Sequence, residues 1–171
     1  MKKEFISLTA GFVITLFMAG TALAQVQLPE ITITESAKST ITNQKVFTSF
    51  NTAFKGATSV RWFESNNRYL VNFMMDDIRN HILYTKKGQI IYHVLYGFEK
   101  NLPSDLLSQV KSKYKAYAVN RAINIKQGGA NVWMVNLEND KGYVVLRMAD
   151  GDMNEVRTLR KTMPDEVRAS L

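Results

Sequence analysis

Residues 46–98 read VFTSFNTAFKGATSVRWFESNNRYLVNFMMDDIRNHILYTKKGQIIYHVLYGF, and two periods succeed each other along them. Val46, Phe47, Phe50 and Phe54 recur at helical spacing, with Asn43, Lys45, Ser49 and Asn51 opposite, which makes one apolar stripe. Thr42 or Asn43 stands where a helix is capped, and Gly56 where one ends. From Val60 the period drops to two. Val60 and Trp62, then Tyr69 to Met75, then Ile78 to Tyr84, then Ile90 to Tyr96 alternate their side chains as strands do. The separators are Asn66-Asn67, Asp76-Asp77 and Lys86-Lys87-Gly88, the last suiting a three-residue hairpin with Gly88 left-handed. Such turns are too short for crossovers, so the four strands form an antiparallel meander on which the helix lies.

The same pattern returns downstream. Leu106, Leu107, Val110 and Tyr114 repeat the helix stripe after Pro103 and Ser104. Val135-Asn136-Leu137 repeats Val71-Asn72-Phe73, and Gly151 stands in the place of Gly88. Strands are predicted at Val119–Ile125, Asn131–Leu137, Tyr143–Met148 and Met153–Leu159. This is an internal repeat, and the fold class it predicts is α+β: a tandem repeat of one helix packed on a four-stranded antiparallel meander sheet. The units are expected at residues 43–100 and 101–162, followed by a tail at 163–171.

Upstream, Lys2-Lys3, an apolar run from Phe5 to Leu23, and Ala22-Leu23-Ala24 before Gln25 make a cleavable signal peptide over residues 1–24. Ser7, Thr9, Thr15 and Thr21 dilute the run, and no basic cluster follows it, which argues against a membrane anchor. Cleavage after Ala24 predicts a periplasmic or secreted product without a membrane span. Residues 25–42 are a polar linker in which LPEITIT alternates well enough for a short strand. There is no cysteine, so neither a disulfide nor a lipid-bearing cysteine is available and burial must supply the stability. The net charge of +7 is scattered rather than clustered, and export makes nucleic acid an unsuitable partner.

The helix ending Phe54-Lys55-Gly56-Ala57, then Val60 and Trp62, then Tyr69 to Phe73 and Gly88, resembles the PepSY-like, beta-lactamase-inhibitor-like family of exported bacterial proteins. Leu102-Pro103 opening the second helix, with Tyr114 near its end, matches the same pattern, so the resemblance spans about residues 43 to 160. It implies tandem helix-and-sheet units whose sheets form one concave face, the face with which the namesake inhibitor clamps an enzyme. It also implies, more broadly, restraint of peptidases. The chain departs from that inhibitor in lacking cysteines, and no contact residue is transferred.

Catalytic signatures are absent: no G-x-S-x-G, no H-E-x-x-H and no P-loop. Asp150-Gly151-Asp152 opens like a calcium loop but lacks the later Glu, and reads as a turn. Pairing Thr85 with Gln89 across the Lys86-Lys87-Gly88 loop sets His81 directly opposite His93. Two imidazoles without a third ligand fall short of a metal site, so neither metal nor cofactor is expected. The face away from the helix would carry Arg79, His81, Leu83, Ile91, His93 and Leu95, the candidate protein-contact face or, equally, a face that packs on the second unit or the N-terminal segment. Ile78, Ile82, Tyr84, Ile90, Tyr92, Val94 and Tyr96 would meet the helix. Trp62, Phe63, Tyr69, Trp133 and Tyr143 are aromatic strand residues of the kind that anchor interfaces, although core positions suit them better. Asn72 and Asn136, at matching positions in apolar strands, are expected to make structural hydrogen bonds.

These features point to a non-enzymatic periplasmic protein that binds an exported protein, as an inhibitor or regulator of an exported enzyme such as a peptidase. The alternative is a structural or ligand- or metal-sensing envelope protein.

Overall fold

A computed structural model describes residues 41–161. The first helix, α1 (Gln44–Ala53), is capped by Asn43, whose side chain accepts a hydrogen bond from the Val46 N–H at 3.1 Å. Asn43 Nδ2 also donates to the Lys86 carbonyl at 3.1 Å, which ties the start of the helix to a hairpin tip in the sheet. The chain leaves α1 at Phe54 and passes Gly56 at φ +92°. Val46 and Phe50 are buried, whereas Phe47 stands 36 % exposed at the edge of the stripe.

Four strands follow, β1 (Thr58–Ser65), β2 (Arg68–Met75), β3 (Ile78–Thr85) and β4 (Ile90–Gly97). Asn66-Asn67 (φ +50° and +58°) and Asp76-Asp77 (φ +52° and +61°) turn left-handed at both central positions, as tight hairpins require and as Asn and Asp tolerate. A short 3-10 turn (Glu99–Asn101) and the helix α2 (Ser104–Lys113) lead to β5 (Ala118–Gln127), β6 (Ala130–Asn139), β7 (Gly142–Ala149) and β8 (Asp152–Arg160).

The predicted architecture needs a correction. There are not two four-stranded units in tandem but one eight-stranded antiparallel sheet in the order β1 to β8. The overturning finding is the β4–β5 pairing, in register from Tyr92↔Gln127 to Gly97↔Ala122. Isolated sheets would leave β4 and β5 as open edges; pairing them satisfies both rows of backbone groups. The turn that makes this possible is tight: Asn101 Oδ1 accepts the Phe98 N–H at 2.9 Å, and a side chain at Gly97 would collide with Asn101.

Both helices lie on the same face of the sheet. Beneath α1 the core is Val46, Phe50, Trp62, Tyr69, Val71, Phe73, Ile82 and Tyr84. Phe50 meets Trp62 and Phe73 edge-to-face, at 5.1 and 5.0 Å between ring centres. Beneath α2 a second cluster gathers Val110, Ala122, Val135, Leu137, Val144, Leu146 and Met148. Between the clusters, on the row Asn80↔Leu95↔Asn124, the sheet turns polar. Asn80 and Asn124 are buried there with their amides satisfied, Asn80 Nδ2 by the Ile78 carbonyl and Asn124 Nδ2 by Asn131 Oδ1. No described helix is long and apolar enough to cross a membrane. The expected signal peptide, most of the expected linker and the expected tail lie outside the described residues.

Candidate binding face

The hairpin between β3 and β4 closes as its sequence predicts. The Thr85 N–H donates to the Gln89 carbonyl and the Gly88 N–H to Thr85, with Gly88 at φ +79°. One residue later the register slips. Tyr84 pairs with Ile90 but Leu83 pairs with Tyr92, so Ile91 is an extra residue in β4. A bulge of this kind reverses the facing of every following side chain in its strand.

The six residues expected on one contact face are therefore divided. Arg79, His81 and Leu83 do face away from the helices, Leu83 fully buried in a third apolar cluster against which Ile91 packs. His93 and Leu95 fall on the helix side. The His93 ring meets Phe54 edge-on at 5.5 Å, and its Nε2 lies 2.9 Å from Asn80 Oδ1. Since Asn80 Nδ2 is spent on a carbonyl, Oδ1 accepts and the imidazole carries its proton on Nε2. Burial, and then the nearby Lys126 charge, push the His93 pKa down to about 4. His81 pairs with Val94 rather than His93, so the two imidazoles occupy opposite faces and cannot share a metal ion. Among the described residues no group of three His, Asp or Glu side chains could hold one.

The slip also transfers Tyr92, Val94 and Tyr96, expected under the helix, to the helix-free face. With Leu70, Leu83, Ile123 and Ile125 they form the third cluster, on the face opposite both helices, in which Leu70, Leu83, Tyr92 and Val94 are buried and Tyr96, Ile123 and Ile125 half-buried. Of the aromatic anchor candidates, Trp62 and Tyr69 are core and Trp133 packs beneath α2. Phe63 borders the helix-free cluster, and Tyr143 is 38 % exposed with the Lys161 ammonium 4.9 Å from its ring centre.

At the β1–β3 end of that face is a pocket of about 390 Å³ whose polar lining is Ser59, Arg61, Asn72, Arg79, His81 and Tyr96. A second bulge, between Thr58 and Arg61, shapes its rim and holds Ser59 at φ +54°. The Arg79 guanidinium stacks 4.5 Å over the Tyr96 ring, and His81 lies 6.1 Å from the same ring. Burial, then the Arg79 charge, lower the His81 pKa and favour the neutral ring. Asn72 Oδ1 and His81 Nε2 are buried atoms without a hydrogen-bond partner, contrary to the structural bond expected of Asn72. Sequence reasoning included Arg79 and His81 but passed over Arg61 and Ser59. Arg61 follows from the alternation about Trp62, whereas the bulge that places Ser59 at the rim has no compositional mark.

No protein-family profile matches the sequence, and no curated protein is similar to it. Among solved structures, a BLIP-like protein from Bacteroides fragilis is similar at a TM-score of 0.53 and 15 % identity, over 71 % of this chain and 89 % of its own. A DUF2874 family protein from Bacteroides uniformis is similar at 0.52 and 11 % identity, over 68 % and 88 %. A Bacteroides eggerthii protein, whose name places it only provisionally in the periplasm, is similar at 0.52 and 9 % identity, over 68 % and 87 %. At these identities the likeness is one of fold, and the fold is BLIP-like. The PepSY-like part of the resemblance gains no support from it.

Proposed function

We propose that this is a non-enzymatic exported protein of the bacterial envelope that binds another exported protein with the helix-free face of its sheet. The observation that carries the proposal is the third apolar cluster. A sheet that already buries one face against two helices has no need of a second apolar face. The centre of this one is buried, and its half-buried margin, Phe63, Ile91, Tyr96, Ile123 and Ile125, is the surface proposed for contact. The export signal at residues 1–24 and the similarity to a provisionally periplasmic protein support the compartment. The fold shared with a BLIP-like protein supports a role in binding, and inhibition or regulation of an exported enzyme such as a peptidase is the form of binding proposed.

The test is capture from periplasmic extract, comparing the wild-type protein with Ile123→Glu and Met134→Glu, half-buried positions on the helix-free face. A partner retained by the wild type and lost by both variants, with thermal midpoints unchanged, is the expected result. Retention by well-folded variants would remove this face from the interaction.

A further inference from the structure

We infer that the pocket at the β1–β3 end of the helix-free face is a binding site for a carboxylate flanked by an N–H donor, the chemistry of an N-acylated amino acid or of a peptide C-terminus. Two features set the charge. Arg61 and Arg79 both line the pocket; among the described residues no acidic side chain lines it and neither arginine has a carboxylate partner. Arg79 is already placed, its guanidinium carbon 4.5 Å over the Tyr96 ring, and a guanidinium can grip an anion in a forked pair.

The neighbouring atoms define what accompanies the anion. Asn72 and His81 are cross-strand partners, and the Asn72 Oδ1 and His81 Nε2 atoms are buried and unpaired. A buried polar atom without a partner costs on the order of 1–3 kcal/mol, and a ligand that satisfies it recovers that cost. Oδ1 is an acceptor, so it calls for a donor beside the carboxylate, while the neutral imidazole can donate or accept. Phe63 and Met74 supply an apolar wall for a small side chain. A cavity of about 390 Å³ is at the lower end of the range for small-ligand sites, enough for one or two residues. The Ser59 bulge adds a strained backbone position at the rim, as binding sites often do.

This inference goes beyond protein docking on the rest of the face and does not depend on it, because the pocket can titrate whether or not a partner is captured. The experiment is an NMR titration of the full chain, following the His81 and Tyr96 ring signals. One arm uses N-acetyl-L-alanine, a second uses a pentapeptide with a free C-terminus, and the control is N-acetyl-L-alaninamide. Saturable shifts with a free carboxylate and none with the amide are expected. Arg61→Gln and Arg79→Gln should each weaken binding about tenfold, the loss typical of a hydrogen bond to a charged group, and Arg157→Gln on β8 should change nothing. Saturation by acetylalanine identifies a small-molecule site; saturation by the pentapeptide alone identifies the end of a protein chain. Equal shifts with the amide, or no saturation in either carboxylate arm at millimolar concentration, would overturn the proposal.

Discussion

Three polar side chains, one buried and two half-buried, show how differently single residues are placed in this molecule. Tyr84 lies in the core beneath α1 with its hydroxyl unpaired, and burial raises its pKa. Tyr84→Phe removes that hydroxyl without opening a cavity, so the variant should be more stable by about 1 kcal/mol, read from urea unfolding. His93 is half-buried and held neutral. Its pKa in the folded protein is about 4, below the ordinary 6.5, so between those values the unfolded chain binds the extra proton. Stability from this residue is therefore complete above pH 6.5 and declines as pH falls toward about 4. The slope of thermal midpoint against pH should be shallower in His93→Gln across that window; an unchanged slope would assign it to other groups, His81 among them. Asn72 differs from both, because its unpaired oxygen borders a pocket rather than the closed core.

At the scale of elements, α1 and the strands beneath it are joined chiefly through one ring. Phe50 contacts Phe54, Trp62 and Phe73, all within 5.6 Å between ring centres. Phe50→Ala leaves a void that the stiff sheet cannot close, and should cost about 3–5 kcal/mol in denaturant unfolding. The existence of each strand was legible from alternation, and most turns from their Asn, Asp and Gly residues, because those signals are local. What was not legible was the facing of β4. The Lys86-Lys87-Gly88 loop forms as its sequence requires, yet the next pairing step inserts Ile91 and exchanges His93 and Leu95 for Val94 and Tyr96. In β4, Ile90 to Tyr96 is apolar or aromatic at almost every position, so a slip by one residue leaves both faces acceptable.

The whole molecule is one sheet, and its cooperativity should follow. Each helix covers its own apolar cluster, but β4 and β5 share backbone hydrogen bonds through the middle of the sheet. Melting one cluster would therefore expose a sheet edge on the other. We expect a single unfolding transition, with far-ultraviolet dichroism and tryptophan fluorescence coincident, since Trp62 and Trp133 report on the two separate clusters. Two separated transitions would mean that the halves fold independently despite the shared sheet. The outer strand β8 is exposed along nearly its whole length and carries Arg157 and Arg160, charges of the kind that discourage further strand addition.

By itself, the amino-acid sequence determined the helices, the strands and the antiparallel hairpins, because caps, periodicity and left-handed turn residues act over a few positions. It also carried the pattern from which an export signal is expected, and no catalytic signature. Tertiary structure alone decided that β4 pairs with β5, which requires Phe98 to Tyr117 to fold back over the sheet. It likewise decided that one bulge, in β4, separates His81 from His93 and another, in β1, sets Ser59 at the rim of the pocket. Such pairings are settled by burial and backbone satisfaction between distant segments, and no short stretch of residues records them.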